Sequence, residues 1–305
     1  MSQAPPRDDT PAGAGPWPVA IVGVGNMGGG MARRLLAQGW PVHVFDILAD
    51  RSAALAAIGA RVHASAADAA RAARATIVCV VDAAQSRDVL FGAGALAQSV
   101  PLGHTVLLCP TIAPADVEDI AQKLRPQGVF CIDAPMSGGP ARAADGSMSL
   151  MVACENLVFE RHRTLLDTLS SHLFRISERP GDGARTKLVN NLAAGINLVG
   201  AAEVLALARR MGLDLQRTLD VIGQSSGQSW IGTERMRRAI EGDFAPRAHM
   251  TLLAKDTRMA VQAGHDAGFD GPLGAATRDV FAAACAGGLS DLDDAALLQW
   301  LMRER

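Results

Sequence analysis

Lys187 and Asn191 stand four residues apart in Gly183-Ala184-Arg185-Thr186-Lys187-Leu188-Val189-Asn190-Asn191. On a helix that spacing puts an ammonium and an amide on one face, a turn from each other. The residues around and after them (Leu188, Val189, Leu192, Ala193, Ala194, Ile196, Leu198, Val199) are apolar on nearly every side. A helix of that composition is buried, and a buried lysine needs a partner or a task. The bland alternative is a lysine that snorkels out of a helix end. Desolvation against an apolar wall lowers a lysine's pKa toward neutrality, which suits it to pass a proton in either direction.

The elements that must position these groups begin with Pro18-Val19-Ala20-Ile21-Val22, a short apolar strand. Gly23-Val24-Gly25-Asn26-Met27-Gly28 follows at once, and a helical stretch from Gly29 to Gln38 closes at Gly39. Strand, G-x-G-x-x-G and helix in that order form a dinucleotide-binding fingerprint. The glycines let backbone N–H groups approach a pyrophosphate at a helix N-terminus, where the dipole favours negative charge. A second strand, Val42 to Phe45, ends at Asp46, where a carboxylate would accept hydrogen bonds from the adenosine ribose. A carboxylate there repels a 2′-phosphate, and Ile47 and Leu48 follow it rather than an arginine. NAD is therefore expected over NADP.

The α/β alternation continues. Strands are expected at Arg61 to His63, Thr76 to Val81, Thr105 to Cys109, Val129 to Asp133 and Ser149 to Ala153. Helices are expected at Asp68 to Ala75, Gln85 to Leu90 and Ala115 to Leu124. Short apolar strands between helices imply a Rossmann-type, doubly wound parallel sheet covered on both faces. Such sheets bind ligands beyond the carboxyl ends of their strands. That makes site loops of the segments 81–85, 110–112 and 134–139, and Ser137-Gly138-Gly139 could form a backbone anion cradle.

From Ala184 the strand pattern vanishes. Ala184 to Met211 reads as one helix roughly 40 Å long, stopped by Gly212. Further helices are expected at Leu215 to Ser225, Trp230 to Glu241, Ala248 to Ala267, Pro272 to Ala286 and Leu292 to Met302. The expected organisation is a disordered tail at 1–16, a nucleotide-binding domain at 17–180 and an all-helical substrate and oligomerisation domain at 181–305. The apolar surface of the long helix exceeds the needs of one small domain, which points to a homodimer or homotetramer.

Composition excludes several classes. The net charge of −2 is spread over 305 residues, so neither nucleic acid nor an anionic membrane is an expected partner. No apolar run is expected to reach the length of a membrane span. The five cysteines lack any C-x-x-C pairing and read as reduced thiols of a cytoplasmic protein. The seven histidines are scattered, so no metal site is expected, and there is no tyrosine. These absences exclude chemistry of the short-chain dehydrogenase, aldo-keto reductase and zinc alcohol dehydrogenase types.

Taken together, the motifs resemble the β-hydroxyacid dehydrogenase family, which includes 3-hydroxyisobutyrate dehydrogenase and tartronate semialdehyde reductase. The matching pieces are G-V-G-N-M-G at 23–28, the strand end at Asp46, T-I-A-P at 111–114, D-A-P-M-S-G-G at 133–139, G-A-R-T-K-L-V-N-N at 183–191 and K-D at 255–256. V-V-D-A-A-Q at 80–85, Q-S-W at 228–230 and F-x-P at 244–246 look closer to the L-threonate dehydrogenase branch.

The resemblance implies roles for the matched positions. Gly23, Gly25, Asn26, Met27, Gly28 and Asp46 would hold the dinucleotide. Val80, Val81 and Gln85 would line its ribose side, and Thr111 and Lys255 would lie near the nicotinamide. Ser137, Gly138 and Gly139 would hold the substrate carboxylate. Lys187 would transfer the proton, and Asn191 would orient the substrate beside it. Val80-Val81-Asp82 departs from the Leu-Pro pair usual there. The implied activity is NAD-dependent hydride transfer on a small hydroxy acid of the 3-hydroxyisobutyrate, glycerate or L-threonate type. An imine reductase or a non-catalytic nucleotide-binding protein of the same fold are the alternatives, and the former usually lacks a lysine at this position.

Overall fold

A computed structural model of the chain describes residues 16–303. The expected tail at 1–16 therefore lies outside the described residues, Pro16 excepted. The chain divides into two compact units between Arg185 and Thr186.

The first unit opens with β1 (Val19–Val22), α1 (Asn26–Ala37), β2 (Val42–Phe45), α2 (Ala49–Ala56), β3 (Arg61–Val62) and α3 (Ala66–Arg71). Next come β4 (Ala75–Val78), α4 (Ala83–Phe91), α5 (Leu96–Ser99), β5 (Thr105–Leu108), α6 (Pro114–Leu124) and β6 (Phe130–Asp133). It ends with β7 (Met136–Ser137), α7 (Gly139–Asp145), β8 (Ser149–Ala153), α8 (Asn156–Leu169) and β9 (His172–Ser177).

Six strands run parallel in the order β3-β2-β1-β4-β5-β6, the doubly wound arrangement. The remainder departs from an all-parallel sheet. β8 runs antiparallel to both β6 and β7, and β9 is parallel to β8.

Alternate residues of the central strands feed two cores, which is why these strands read as unbroken apolar runs. Val19, Ile21, Ile77 and Leu107 pack with Met31 and Leu35 of α1 and Phe159 and Leu166 of α8. Val22, Val78, Val106 and Leu108 pack on the other face with Leu90 of α4 and Val117 and Ile120 of α6. Gly30 sits where α1 crosses α7; a Cβ there would come within 2.8 Å of the Ala143 Cβ.

Some sequence expectations need correcting. The strand expected at 76–81 stops at Val78, so Val80 and Val81 belong to the turn that follows. The helix expected at 68–75 ends at Arg71, because Ala75 already pairs with Val19. Ser137 and Gly139 are not a plain loop but the end of β7 and the start of α7. The elements α2, α5, α7, α8 and β9 were not expected at all.

The second unit is helical, with α9 (Asp182–Arg210) running into it from the first. It continues through α10 (Leu215–Gly223), α11 (Trp230–Glu241), α12 (Met250–Asp266), α13 (Pro272–Ala284) and α14 (Leu297–Met302). Leu198, Ala202 and Leu205 of α9 pack with Leu219, Met236, Leu253, Phe281 and Leu297 to form its core. Gly195 lets the helices approach closely, since a Cβ there would lie 2.7 Å from the Thr257 Cγ2. α9 is, by length and composition, apolar enough to cross a membrane, with a mean hydropathy of 1.5 over its most apolar window. The expectation that no segment reaches that length is corrected accordingly.

Candidate active site

In the first unit the glycine loop is fixed by close packing. Gly23 has φ +87°, and a Cβ on it would meet the Cys79 carbonyl oxygen at 2.5 Å. The Val80 Cγ1 would lie 3.2 Å from that same Cβ, so the carboxyl ends of β1 and β4 meet here. A Cβ at Gly28 would sit 2.0 Å from the Gly23 oxygen, leaving no room for a side chain. Gly25 precedes α1 and supplies no side-chain cap, so the first N–H groups of that helix, at Asn26, Met27 and Gly28, are not tied down by a capping side chain. This cradle fits a dinucleotide pyrophosphate.

Asp46 is held rigidly beside the loop. Its Oδ2 accepts the Val24 N–H at 2.8 Å and its Oδ1 accepts the Leu48 N–H at 2.9 Å. Each oxygen keeps a lone pair for a ribose hydroxyl. Here the sequence reading needs a correction. Arg51 of α2, half exposed, places its Nη1 3.8 Å from the Asp46 Oδ2, so an arginine does stand at this position.

Past β4, Asp82 caps α4 by accepting the Gln85 N–H at 2.9 Å. The Gln85 Oε1 in turn accepts the Val81 N–H at 3.1 Å, leaving Val81 exposed. Thr111 lies three residues past β5, next to the buried Ile112. Ser137 ends β7 and pairs with Ser149. Gly138 and Gly139 have φ of +129° and +77°. A Cβ on Gly139 would meet nothing within 4 Å, so this backbone faces open space.

Asp133, at the end of β6, is a residue that sequence reasoning missed. Its carboxylate is almost completely buried. The Oδ2 accepts the Gly181 N–H at 2.8 Å and the Ala184 N–H at 3.1 Å. It therefore caps the start of α9, the helix that carries Lys187. Burial pushes its pKa up to about 6, against the pull of these backbone N–H groups. Gly183 is required because a Cβ would lie 2.7 Å from the Met151 oxygen and 2.9 Å from the Asp133 carboxylate.

In the second unit Lys187 does not snorkel; it is 7% exposed, and Asn191 one turn later is also buried. Burial lowers the Lys187 pKa to about 8; Asp256 opposes that shift and Lys255 adds to it. Asn191 donates from Nδ2 to the Asp256 Oδ2 at 2.6 Å, across α9 and α12. The Asp256 Oδ1 lies 3.3 Å from the Lys255 Nζ but makes no hydrogen bond, although it is buried.

Asp256 is the member of this cluster that sequence reasoning missed. Lys-Asp neighbours are ordinarily solvated, and only the approach of α12 to α9 reveals its burial. The arrangement is a lysine poised near neutrality, an amide fixed by a buried carboxylate, and a polar atom still open to a partner. Such a constellation can accept or return a proton.

The chain matches known proteins along nearly its whole length. Residues 18–177 match the NAD-binding domain of 6-phosphogluconate dehydrogenase, and residues 181–301 match the NAD-binding model of NADP-dependent 3-hydroxyisobutyrate dehydrogenase. It is 34% identical to an L-threonate dehydrogenase of Escherichia coli, covering 92% of this chain and 93% of that protein. The crystal structure of a 3-hydroxyisobutyrate dehydrogenase from Salmonella typhimurium superposes with a TM-score of 0.88 at 35% identity, covering 93% of this chain and 100% of that one. Psf3 in complex with NADP+ and 2-OPP superposes with a TM-score of 0.86 at 27% identity, covering 93% and 99%. The glycine cradle, the doubly wound sheet and the helical unit that follows it in the chain thus have one explanation: the chain belongs to the β-hydroxyacid dehydrogenase family and is an NAD-dependent oxidoreductase that transfers hydride to or from small hydroxy acids.

Proposed function

We propose that Lys187 exchanges the hydroxyl proton of the hydroxy acid and that the substrate is of the L-threonate type. The observation that carries the first part is the buried Lys187, with its pKa near 8, beside an Asn191 anchored by Asp256. In oxidation the neutral Lys187 Nζ accepts the O–H proton as the carbinol C–H bond breaks and the carbonyl forms. Bound NAD supplies the hydride acceptor. In reduction the Lys187 ammonium returns the proton to the carbonyl oxygen. Asn191 fixes the reacting oxygen, and Asp256 fixes Asn191, so no reorganisation is needed at the moment of transfer.

Gly23, Gly25, Asn26, Met27, Gly28 and Asp46 hold the dinucleotide, with Val80, Val81 and Gln85 along its ribose and Thr111 and Lys255 toward the nicotinamide. Ser137, Gly138 and Gly139 hold the substrate carboxylate through backbone N–H groups. The Asp46 carboxylate favours NAD, with Arg51 moderating that preference. The L-threonate assignment is supported by V-V-D-A-A-Q at 80–85 and by relatives of that name at 34% identity. The first unit is the nucleotide domain and the second the substrate domain. Self-association rests on exposed Val204 and Leu207 along α9 and Met211 just past its end, and a cytoplasmic location on five unpaired cysteines.

NADH fluorescence after mixing the enzyme with NAD and L-threonate, 3-hydroxyisobutyrate, glycerate or L-serine tests the substrate. L-threonate is expected to give the highest kcat/KM. A better turnover of 3-hydroxyisobutyrate would overturn that choice, and cofactor binding without turnover of any of them would remove the proton-transfer role.

A further inference from the structure

Asp133 is a buried acid that the proton-transfer scheme does not use. It ends β6, the strand that runs into the segment 134–139, and only 1% of it is exposed. The first N–H groups of a helix have no acceptor within it. In the first turn of α9, Asp182 finds the Arg179 carbonyl at 3.2 Å and Arg185 finds that of Gly181 at 2.9 Å. Ala184, between them, depends on the Asp133 Oδ2, which also accepts the Gly181 N–H. The Gly183 N–H pulls on the same carboxylate. Arg185 also ties this turn to Glu118 of α6 at 2.6 Å, but both side chains are nearly half exposed, and water and salt weaken such a pair. Asp133 and these backbone groups all lie in the first unit, and Lys187 follows Ala184 by three residues on the same helix.

We propose that Asp133 is a positioning residue for Lys187: its ionised carboxylate fixes the first turn of α9, and with it the place where the Lys187 Nζ meets the reacting oxygen. The inference rests on the proton-transfer reading of Lys187 and adds the group that aims it. The charge matters, because N–H donors bond a carboxylate about twice as strongly as a neutral oxygen. The dipole of α9 favours the negative form as well. Removing the charge therefore loosens the turn without changing the shape of the side chain. Acid does this in the wild type, since burial pushes the Asp133 pKa up to about 6 against the pull of the Ala184, Gly181 and Gly183 N–H groups. The groups around Asp133 do not share that titration. Burial pushes the thiols of Cys109, Cys131 and Cys154 far above this range. At Asp182 burial is outweighed by Ser177, Arg179 and Arg185, so that carboxylate is already ionised there.

The test compares the full chain with its Asp133→Asn variant, which keeps the shape and removes the charge. Reduction of the carbonyl product of L-threonate oxidation by NADH draws on the Lys187 ammonium, so the wild-type kcat should be level below about pH 8. It should then fall below about pH 6 as Asp133 takes up a proton. The variant should have a kcat about tenfold lower at pH 7, the difference between a charged and a neutral acceptor, and no fall below pH 6. Its NADH affinity by fluorescence should be unchanged. Amide hydrogen exchange over residues 183–188 should be about tenfold faster in the variant, whereas Asp293→Asn, in the helical unit, should lose stability and leave this exchange alone. Unchanged exchange, or an acid limb that persists in Asp133→Asn, would overturn the proposal, and so would faster exchange with a wild-type kcat. If Asp133→Asn does not fold, the wild-type exchange at pH 5 against pH 7, corrected for the intrinsic rate, decides instead: an unchanged value overturns the proposal. If Lys187→Ala keeps the wild-type kcat, proton transfer by Lys187 falls, and the exchange readout alone decides whether Asp133 holds the turn.

Discussion

The helical unit buries two clusters of charge, and they are built on opposite terms. Around Asp293 every demand is met. Its Oδ1 accepts from the Arg238 Nη1 at 3.0 Å and the Ala295 N–H at 3.1 Å. Its Oδ2 accepts the Arg247 and Ala248 N–H groups at 2.7 and 3.0 Å. Neighbouring Asp294 pairs with the Arg235 Nε at 2.5 Å, yet burial still pushes its pKa up to about 7. Arg238 closes the set by donating to Asp243 and the Ala245 carbonyl. Around Lys187 the demands are left open. A single direct hydrogen bond joins Asn191 to Asp256, the second Asp256 oxygen is buried without one, and the lysine's pKa falls to about 8. A satisfied network is a fastener for the loop between α11 and α12. An unsatisfied one holds its groups ready for a substrate, at a cost in stability.

The largest expected effect breaks the open cluster. Lys187→Ala should lower kcat by about 10²–10⁴-fold, the usual contribution of a positioned acid or base, while NAD affinity measured by fluorescence changes little. Lys187→Arg should not rescue activity, because a guanidinium stays charged and cannot accept the proton. Asn191→Ala should cost less than Lys187→Ala, since it removes orientation rather than the transferable proton. A Lys187 variant with near-wild-type kcat would return this residue to an ordinary buried lysine.

The satisfied cluster should respond in the opposite currency. Asp293→Ala removes the fully buried partner of Arg238 and the acceptor of the Arg247, Ala248 and Ala295 N–H groups, and should destabilise the protein by about 3–5 kcal/mol in urea unfolding. The kcat of the remaining folded enzyme should stay close to wild type. A large loss of kcat with unchanged stability would mean that the division between the two clusters is drawn in the wrong place.

A smaller contrast concerns pH and stability. The Lys187 pKa is lower in the folded than in the unfolded chain, so the unfolded state binds more protons between about pH 8 and pH 10.5. Stability therefore gains from this group as pH rises through that window, by about 3 kcal/mol at most. Lys187→Met should flatten that rise; an unchanged slope would place the buried charge elsewhere. The smallest effect is at the cofactor. Asp46→Ala should lower kcat/KM for NAD about tenfold and raise it for NADP, as Arg51 is freed for a 2′-phosphate. Equal use of both cofactors by the wild type would contradict a discriminating Asp46.

The parts legible in the sequence are those where residue type alone dictates geometry. Gly23 and Gly28 leave no room for a Cβ, and Lys187 sits in a helix too apolar to solvate it. α8 was also legible in principle, since Val158, Phe159, His162, Leu165, Leu166 and Leu169 are buried at helical spacing. α7 was not, because Gly139-Pro140 reads as a turn until Pro140 is placed in a first helical turn, where its missing N–H costs nothing. Asp133 and Asp256 were hidden for a different reason. Their roles depend on partners 51 and 65 residues away, and no local pattern announces that a carboxylate will be buried. Arg51 was missed likewise, because it reaches Asp46 only through the first turn of α2.

The most direct test of the central claim is the pH dependence of kcat/KM for oxidation of the best hydroxy acid, from pH 6 to pH 10, in the wild-type enzyme. The substrate carboxylate is ionised throughout, so the profile reports the enzyme's own base. With Lys187 accepting the proton, the rate should rise tenfold per pH unit and level off above about pH 8, where the lysine is neutral. A profile that is flat through pH 8, or that falls as pH rises, would contradict proton transfer by Lys187.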